Sequence, residues 1–191
     1  MAWTAPRTYV AGAVLAAAHL NETRDNLNVL STALLLPEHQ ASYWYKSNLG
    51  ITPTNALVGA DILWGMPITV PNSGTYVGIS LDVSSAAGNV HFGIYDDDGG
   101  VPGALVVDAG EATVASPSMS SVIDEELAGP ARYWIAALFD DAPTVSKLFE
   151  GTIQDRIGVT KTSVTYGALP DPFGAITGWQ TSGPNLLIKR E

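Results

Sequence analysis

One stretch of helical periodicity, confined to the start of the chain, constrains the fold more than anything that follows it. From Ala13 the apolar positions Ala13, Ala16, Leu20, Leu27, Leu30 and Leu34 recur in alternating steps of three and four, with Thr23 as the single polar interruption. Such spacing is a heptad seam, and Pro37 ends it. A helix of about 20 residues spans roughly 30 Å. Alone in water, with so narrow a stripe to bury, it is marginal, so the seam needs a partner. The helix could lie across the sheet of its own domain. However, its flanks carry His19, Asn21, Arg24, Asn26 and Asn28, where a helix laid on a sheet shows a broader apolar face. A parallel bundle of identical chains uses the narrow stripe better, and a homotrimer is the expected assembly, although leucines along a seam do not fix the strand number.

Ahead of the helix, Trp3-Thr4-Ala5-Pro6-Arg7-Thr8-Tyr9 is extended by preference, because Pro6 has a fixed φ and pushes Ala5 out of the helical region. Trp3 and Tyr9 have nothing local to bury against. They either fold back on the helix or dock into a partner, where aromatics supply most of the buried area.

After Pro37 the chain reads as short strands and turns. Val77, Ile79, Leu81 and Val83 alternate with Ser80 and Asp82, and Val90, Phe92 and Ile94 repeat the pattern after Ser84–Asn89, which reads as a hairpin loop. Asp96-Asp97-Asp98-Gly99-Gly100-Val101-Pro102-Gly103 is the strongest turn signal, and a strand restarts over Ala104–Asp108. Arg132–Phe139 is apolar on both faces and belongs in the middle of a sheet. Asp140–Pro143 turns the chain, and fainter strands follow at Lys161–Tyr166 and Asn185–Lys189, joined by a long Pro- and Gly-rich loop over Gly167–Pro184. The expected fold is therefore mainly β: an N-terminal α-helical stalk over residues 1–37, followed by an antiparallel two-sheet jelly-roll β-sandwich over residues 38–191.

Charge narrows the partners. Arg7, Arg24, Glu22 and Asp25 cancel, so the formal charge of −10 falls entirely beyond the helix. A domain so acidic is repelled by a phosphate backbone or an anionic bilayer, which argues against nucleic-acid binding and membrane insertion. The chain has no cysteine, so neither a disulfide nor a thiolate metal site is available. The apolar run at 10–20 lacks a basic leader and meets Asn21, Glu22, Arg24 and Asp25, which reads as neither a membrane span nor an export signal. Assembly inside the producing cell is the expectation.

For catalysis a base near neutral pH is needed beside a nucleophile or a metal. His19, His39 and His91 fall in different elements with no motif around them, and His91 alternates away from the core, toward solvent. No enzyme activity and no cofactor are expected. Asp96, Asp97 and Asp98 invite a calcium reading, but the alternating ligands and distal glutamate of a calcium loop are missing, so a hydrophilic hairpin turn is the expectation, with these residues kept as possible ligand-binding positions and no metal assigned. Asp140 and Asp141 would have to lie at the same end of the sandwich to complete a site. Sugar binding requires exposed aromatic platforms. Phe173 and Trp179, in a long loop of the kind that often carries function, are the leading candidates. Tyr43, Trp44 and Tyr45 open the domain and are expected to pack it against its stalk, while Trp134 is expected in the core.

Two stretches resemble known families. Trp3, Pro6, Arg7, Thr8, Tyr9, Gly12, Leu20-Asn21 and Arg24-Asp25-Asn26 resemble a segment that opens many bacteriophage tail fibre, minor tail and head fibre proteins. Phe92–Leu105, followed by Ala131–Ala136, is similar to jelly-roll modules of secreted and phage surface proteins, which usually bind or decorate. The resemblance implies a virion protein whose N-terminal segment attaches to the particle, with Trp3, Arg7, Tyr9, Leu20, Asn21, Arg24, Asp25, Leu27, Leu30 and Leu34 as the attachment and oligomerisation residues. The expected role is a homotrimeric fibre or minor tail protein at the virion surface, assembled in the host cytoplasm, in contact with other virion proteins and presenting its sandwich to a host-surface glycan. The alternative is a capsid or head decoration protein with a purely structural role and no ligand.

Overall fold

The computed structural model describes residues 41–46, 54–149 and 157–191. The stalk, its seam and the attachment residues from Trp3 to Leu34 lie outside the described residues. Within them the chain forms β1 (Trp44–Lys46), β2 (Thr54–Leu57), β3 (Ile62–Val70), β4 (Gly74–Ser85), β5 (Asn89–Asp98), β6 (Val101–Thr113), β7 (Ser118–Leu127), β8 (Ala131–Phe139), β9 (Thr144–Phe149), β10 (Gly158–Thr162), β11 (Gly178–Gln180), β12 (Ser182–Pro184) and β13 (Leu186–Arg190). The pairings are antiparallel and build two sheets. One is ordered β1-β13-β4-β9-β12, with β7 on β4 and β2 on β9; the other is ordered β11-β10-β3-β8-β5-β6.

Val77–Val83 and Val90–Ile94 were both expected as strands and both are, but β4 and β5 belong to different sheets. Ser84–Asn89 is therefore an arch between layers rather than a hairpin. Alternation reports which face of a strand is buried and is silent about which strand it pairs with. The true hairpin is the next one. Asp98 faces Val101 across Gly99 and Gly100, both at positive φ, 63° and 99°. That is the two-residue turn whose twist suits adjacent strands and which glycine adopts without steric cost. β8 lies between β3 and β5 as its doubly apolar sequence requires. The expected strand at Lys161–Tyr166 begins earlier, at Gly158, and ends at Thr162. The expected loop to Pro184 contains β11 and β12, which leaves residues 163–177 as the stretch without strand.

Alternate residues of the two sheets meet in the main core, among them Ile79, Leu81, Val90, Phe92, Ile94, Ile135, Phe139, Val145 and Ile188. A second core lies on the outer face of the six-stranded sheet, where Leu63, Tyr95, Trp134, Ala136, Leu138 and Val159 pack with Leu169 and Phe173 of the 163–177 loop. Trp134 is thus buried as expected, in this second core. His91 does not reach solvent as its alternation implied. It is 8% exposed, with Nε2 2.5 Å from Asp108 Oδ1, because it points to an outer face that is itself largely covered.

Two fully buried tyrosines make the fold sensitive to alkali. Burial pushes the Tyr76 hydroxyl up to about 12, with Arg190 partly opposing. Tyr95, which donates to the Pro170 carbonyl at 2.8 Å, is raised by burial and then by the Asp108 and Asp171 carboxylates. Phenols in the unfolded chain ionise near pH 10, before those in the fold. The stability they contribute is therefore intact below about pH 10 and falls as pH rises through the folded values. Urea titrations between pH 9 and 12 should show that loss, with a shallower slope in Tyr76→Phe.

Candidate functional site

Two of the three turn aspartates are occupied by the protein's own donors. Asp96 accepts the Ala104 amide at 2.5 Å. Asp97 accepts the Gly100 amide at 3.1 Å and Trp134 Nε1 at 2.8 Å, with Arg132 3.8 Å away. Asp98 is exposed. At the opposite end of β5, Asp140 accepts both the amide and Nδ2 of Asn89, at 2.5 and 2.8 Å, and Asp141 accepts the amide of Ala142 at 2.7 Å. The two acidic groups are separated by most of the length of β5, roughly 20 Å at strand rise. The expectation that they could share one end of the sandwich is corrected by this register. Among the described residues no group of three or more His, Asp or Glu side chains is arranged to hold a metal.

Phe173 and Trp179 also part company. Phe173 is fully buried, its ring edge-on to Tyr95 with centroids 5.1 Å apart and planes at 82°. It belongs to the second core and is withdrawn as a ligand-binding residue. The cause is a trough in the six-stranded sheet: Gly65, Ala136 and Gly93 are cross-strand neighbours, and their small side chains leave room for the loop. Phe173 reaches down over Gly65 and Leu169 over Gly93. Trp179, on β11 opposite Val159, remains 37% exposed at the edge of that sheet.

A second exposed indole lies on the outer face of the other sheet. Residues directly paired across an antiparallel ladder share a face, and Trp44, Lys189, Gly78 and Val122 form one such row across β1, β13, β4 and β7. The row beside it, Tyr45, Ile188, Ile79 and Ser121, points inward, with Ile188 and Ile79 in the main core and Tyr45 packed against it. Outward again come Leu187, Ser80 and Ser120, then Asp82 and Ser118. Trp44 is 40% exposed, Tyr43 62% and Val122 83%. The six-membered ring of Trp44 rests over Gly78, where a Cβ would come within 3.0 Å of Cη2 and 3.6 Å of Cζ3. A Cβ at position 78 would press the indole outward by a few tenths of an ångström.

This arrangement has the chemistry of a sugar platform. The electron-rich face of an indole suits the C–H face of a pyranose, while hydroxyls and an ammonium beside it can bond the ring's equatorial oxygens. The Tyr43–Tyr45 cluster was expected to pack the domain against its stalk, which lies outside the described residues. Strand alternation sends Tyr45 inward and leaves Trp44 on the outer face. The decisive signal, Gly78 beneath Trp44, joins positions 34 residues apart and becomes visible only with the register. Comparison of the chain with protein-family models, with curated proteins and with solved structures found no match.

Proposed function

We propose that this protein is a bacteriophage virion component of fibre or minor tail type, displayed to bind host-surface glycans rather than to catalyse a reaction. Residues 1–37 attach it to other virion proteins and trimerise it, and a jelly-roll sandwich carries the binding face. The resemblance of the N-terminal string supports the virion assignment. The jelly-roll reading is favoured by the way the chain changes sheet between β3 and β4, β4 and β5, β6 and β7, β7 and β8, and β8 and β9. The observation that carries glycan binding is the exposed Trp44 indole seated on Gly78, with Lys189 in the same row and Ser80 and Ser120 in the next outward row.

A glycan array probed with the full chain tests it. Binding should appear and should weaken about 30-fold in Trp44→Ala, the loss expected when an aromatic anchor worth roughly 2 kcal/mol is truncated. Trp179→Ala, on the other sheet, should leave affinity unchanged. Absence of binding to every glycan, while particles still require the protein for integrity, would favour the ligand-free decoration role. Binding that survives Trp44→Ala but is lost in Trp179→Ala would move the site to the β11 edge.

A further inference from the structure

Lys147 is an anomaly in the sandwich. It stands on β9 two residues from Val145, and period-two alternation sends it to the same side as that fully buried core valine. Its Nζ lies 4.9 Å from the centroid of a Trp64 ring. No hydrogen bond or ion pair to it occurs among the described residues, and burial alone, with no carboxylate to oppose it, lowers the pKa of its ammonium. The positions facing it across the ladder are Pro184 on β12 and Thr54 on β2.

The ring beneath the ammonium has a matching deficit. Trp64 is 6% exposed, and its Nε1 is buried without a hydrogen-bond partner. Its neighbours on this side are apolar. Gly183 of β12 sits against Met66 and the Trp64 ring, at a spot where a Cβ would come within 3.7 Å of Trp64 Cε3. An unpaired buried N–H costs about 1–3 kcal/mol, and an ammonium partly stripped of water also lacks its best partner. Both groups are donors only. What is missing is an acceptor, and one carrying negative charge would satisfy both.

We propose that Lys147 and Trp64 form an anion-binding site, separate from the Trp44 platform, that takes a carboxylate or phosphate oxygen at the margin of the main core. The ammonium supplies charge and hydrogen bonds, and the indole N–H, which lies in the plane of the ring, becomes satisfied by an acceptor that settles at the ring's edge rather than on its electron-rich face. The formal charge of −10 on the chain opposes the approach of any anion at long range. Affinity therefore rests on these local donors and lies in the millimolar range at moderate salt, about −4 kcal/mol.

The test is a 1H–15N spectrum of the full chain, following the Trp64 indole peak during separate additions of sodium glucuronate, acetate and inorganic phosphate at constant ionic strength, with glucose as the neutral control. A saturable shift of that peak is expected with an anion and not with glucose. The shift should vanish in Lys147→Met, which keeps the length and apolar stem of the side chain, and return in Lys147→Arg. Trp64→Phe, followed on the Lys147 Cε signal, should weaken binding several-fold. Saturation by glucuronate and acetate identifies a carboxylate, as on an acidic sugar; saturation by phosphate alone identifies a phosphoryl group. No saturable shift with any of the three anions overturns the proposal, and so does an unchanged shift in Lys147→Met. Trp44→Ala should leave every titration unaltered, so failure here and failure of the glycan platform are read separately.

Discussion

Phe173→Ala will destabilise the protein by about 3–5 kcal/mol, the range for truncating a fully buried phenylalanine, and chemical denaturation will show it as a lower midpoint. The ring makes three contacts that alanine forfeits together. It meets Tyr95 edge to face, lies over Gly65 within 3.4 Å of where a Cβ would be, and packs with Val159 and Trp134 in the second core. The backbone at 173 is tied down independently, with its N–H donating to Gly103 at 2.9 Å and its carbonyl accepting Lys161 Nζ at 2.7 Å. The loop thus cannot simply collapse into the space, and a cavity persists, which is the circumstance that puts such truncations at the upper end of their range. Against a typical margin of 5–15 kcal/mol for a whole domain, the loss is severe. Phe173→Leu keeps most of the volume and should cost less than about 1.5 kcal/mol. If Phe173→Ala cost under 1 kcal/mol, the 163–177 loop would not be a structural lid on the sheet.

That lid explains most of what the sequence failed to disclose. β8 was legible because Arg132–Phe139 is apolar on both faces, and a strand buried on both sides can only be central. The same logic should have covered β5, but its outward positions are His91, Gly93 and Tyr95, which read as a solvated face. They are buried because a loop with no periodicity of its own folds over them, and tertiary cover of this kind leaves no local trace. β3 went unnoticed because Pro67 interrupts Ile62–Val70. Yet β10 pairs only with residues 62–65 of β3, so Pro67 lies beyond it, where a missing N–H removes no bond on that edge. β7 was hidden by an inversion of its pattern, with Ser121 buried and Val122 outside. That exposed valine shares its row with Trp44, on the face proposed to bind glycans. Local rules broken where a surface has work to do are the expected place for sequence reasoning to fail. The aspartate turn is the hairpin its sequence indicated, and the carboxylates of Asp96 and Asp97, which invite a ligand reading, accept from the hairpin's own amides and from Trp134.

Gly93→Val carries the second large effect, because the trough that accepts the lid depends on that position having no side chain. A Cβ at 93 would run into Leu169 Cδ1 from above and would lie 2.8 Å from the carbonyl oxygen of Val107. The leucine methyl can swing aside. The carbonyl cannot, because Val107 pairs with Ile94 in the β5–β6 ladder, and moving it breaks the register that seats the lid. Overpacking of a well-filled site costs about 1–3 kcal/mol even when side chains give way, and here backbone must yield as well, so a loss of at least about 3 kcal/mol is expected by urea denaturation. Limited proteolysis should cut within residues 163–177 in the variant before it does so in the parent. The two clashes can be resolved with Leu169→Ala: in a double-mutant cycle the pair should recover the leucine share of the Gly93→Val penalty while the carbonyl share remains. Full recovery would mean that β6 adapts freely and that the trough is set by side chains alone. No recovery would mean that Leu169 does not lie over Gly93 in solution.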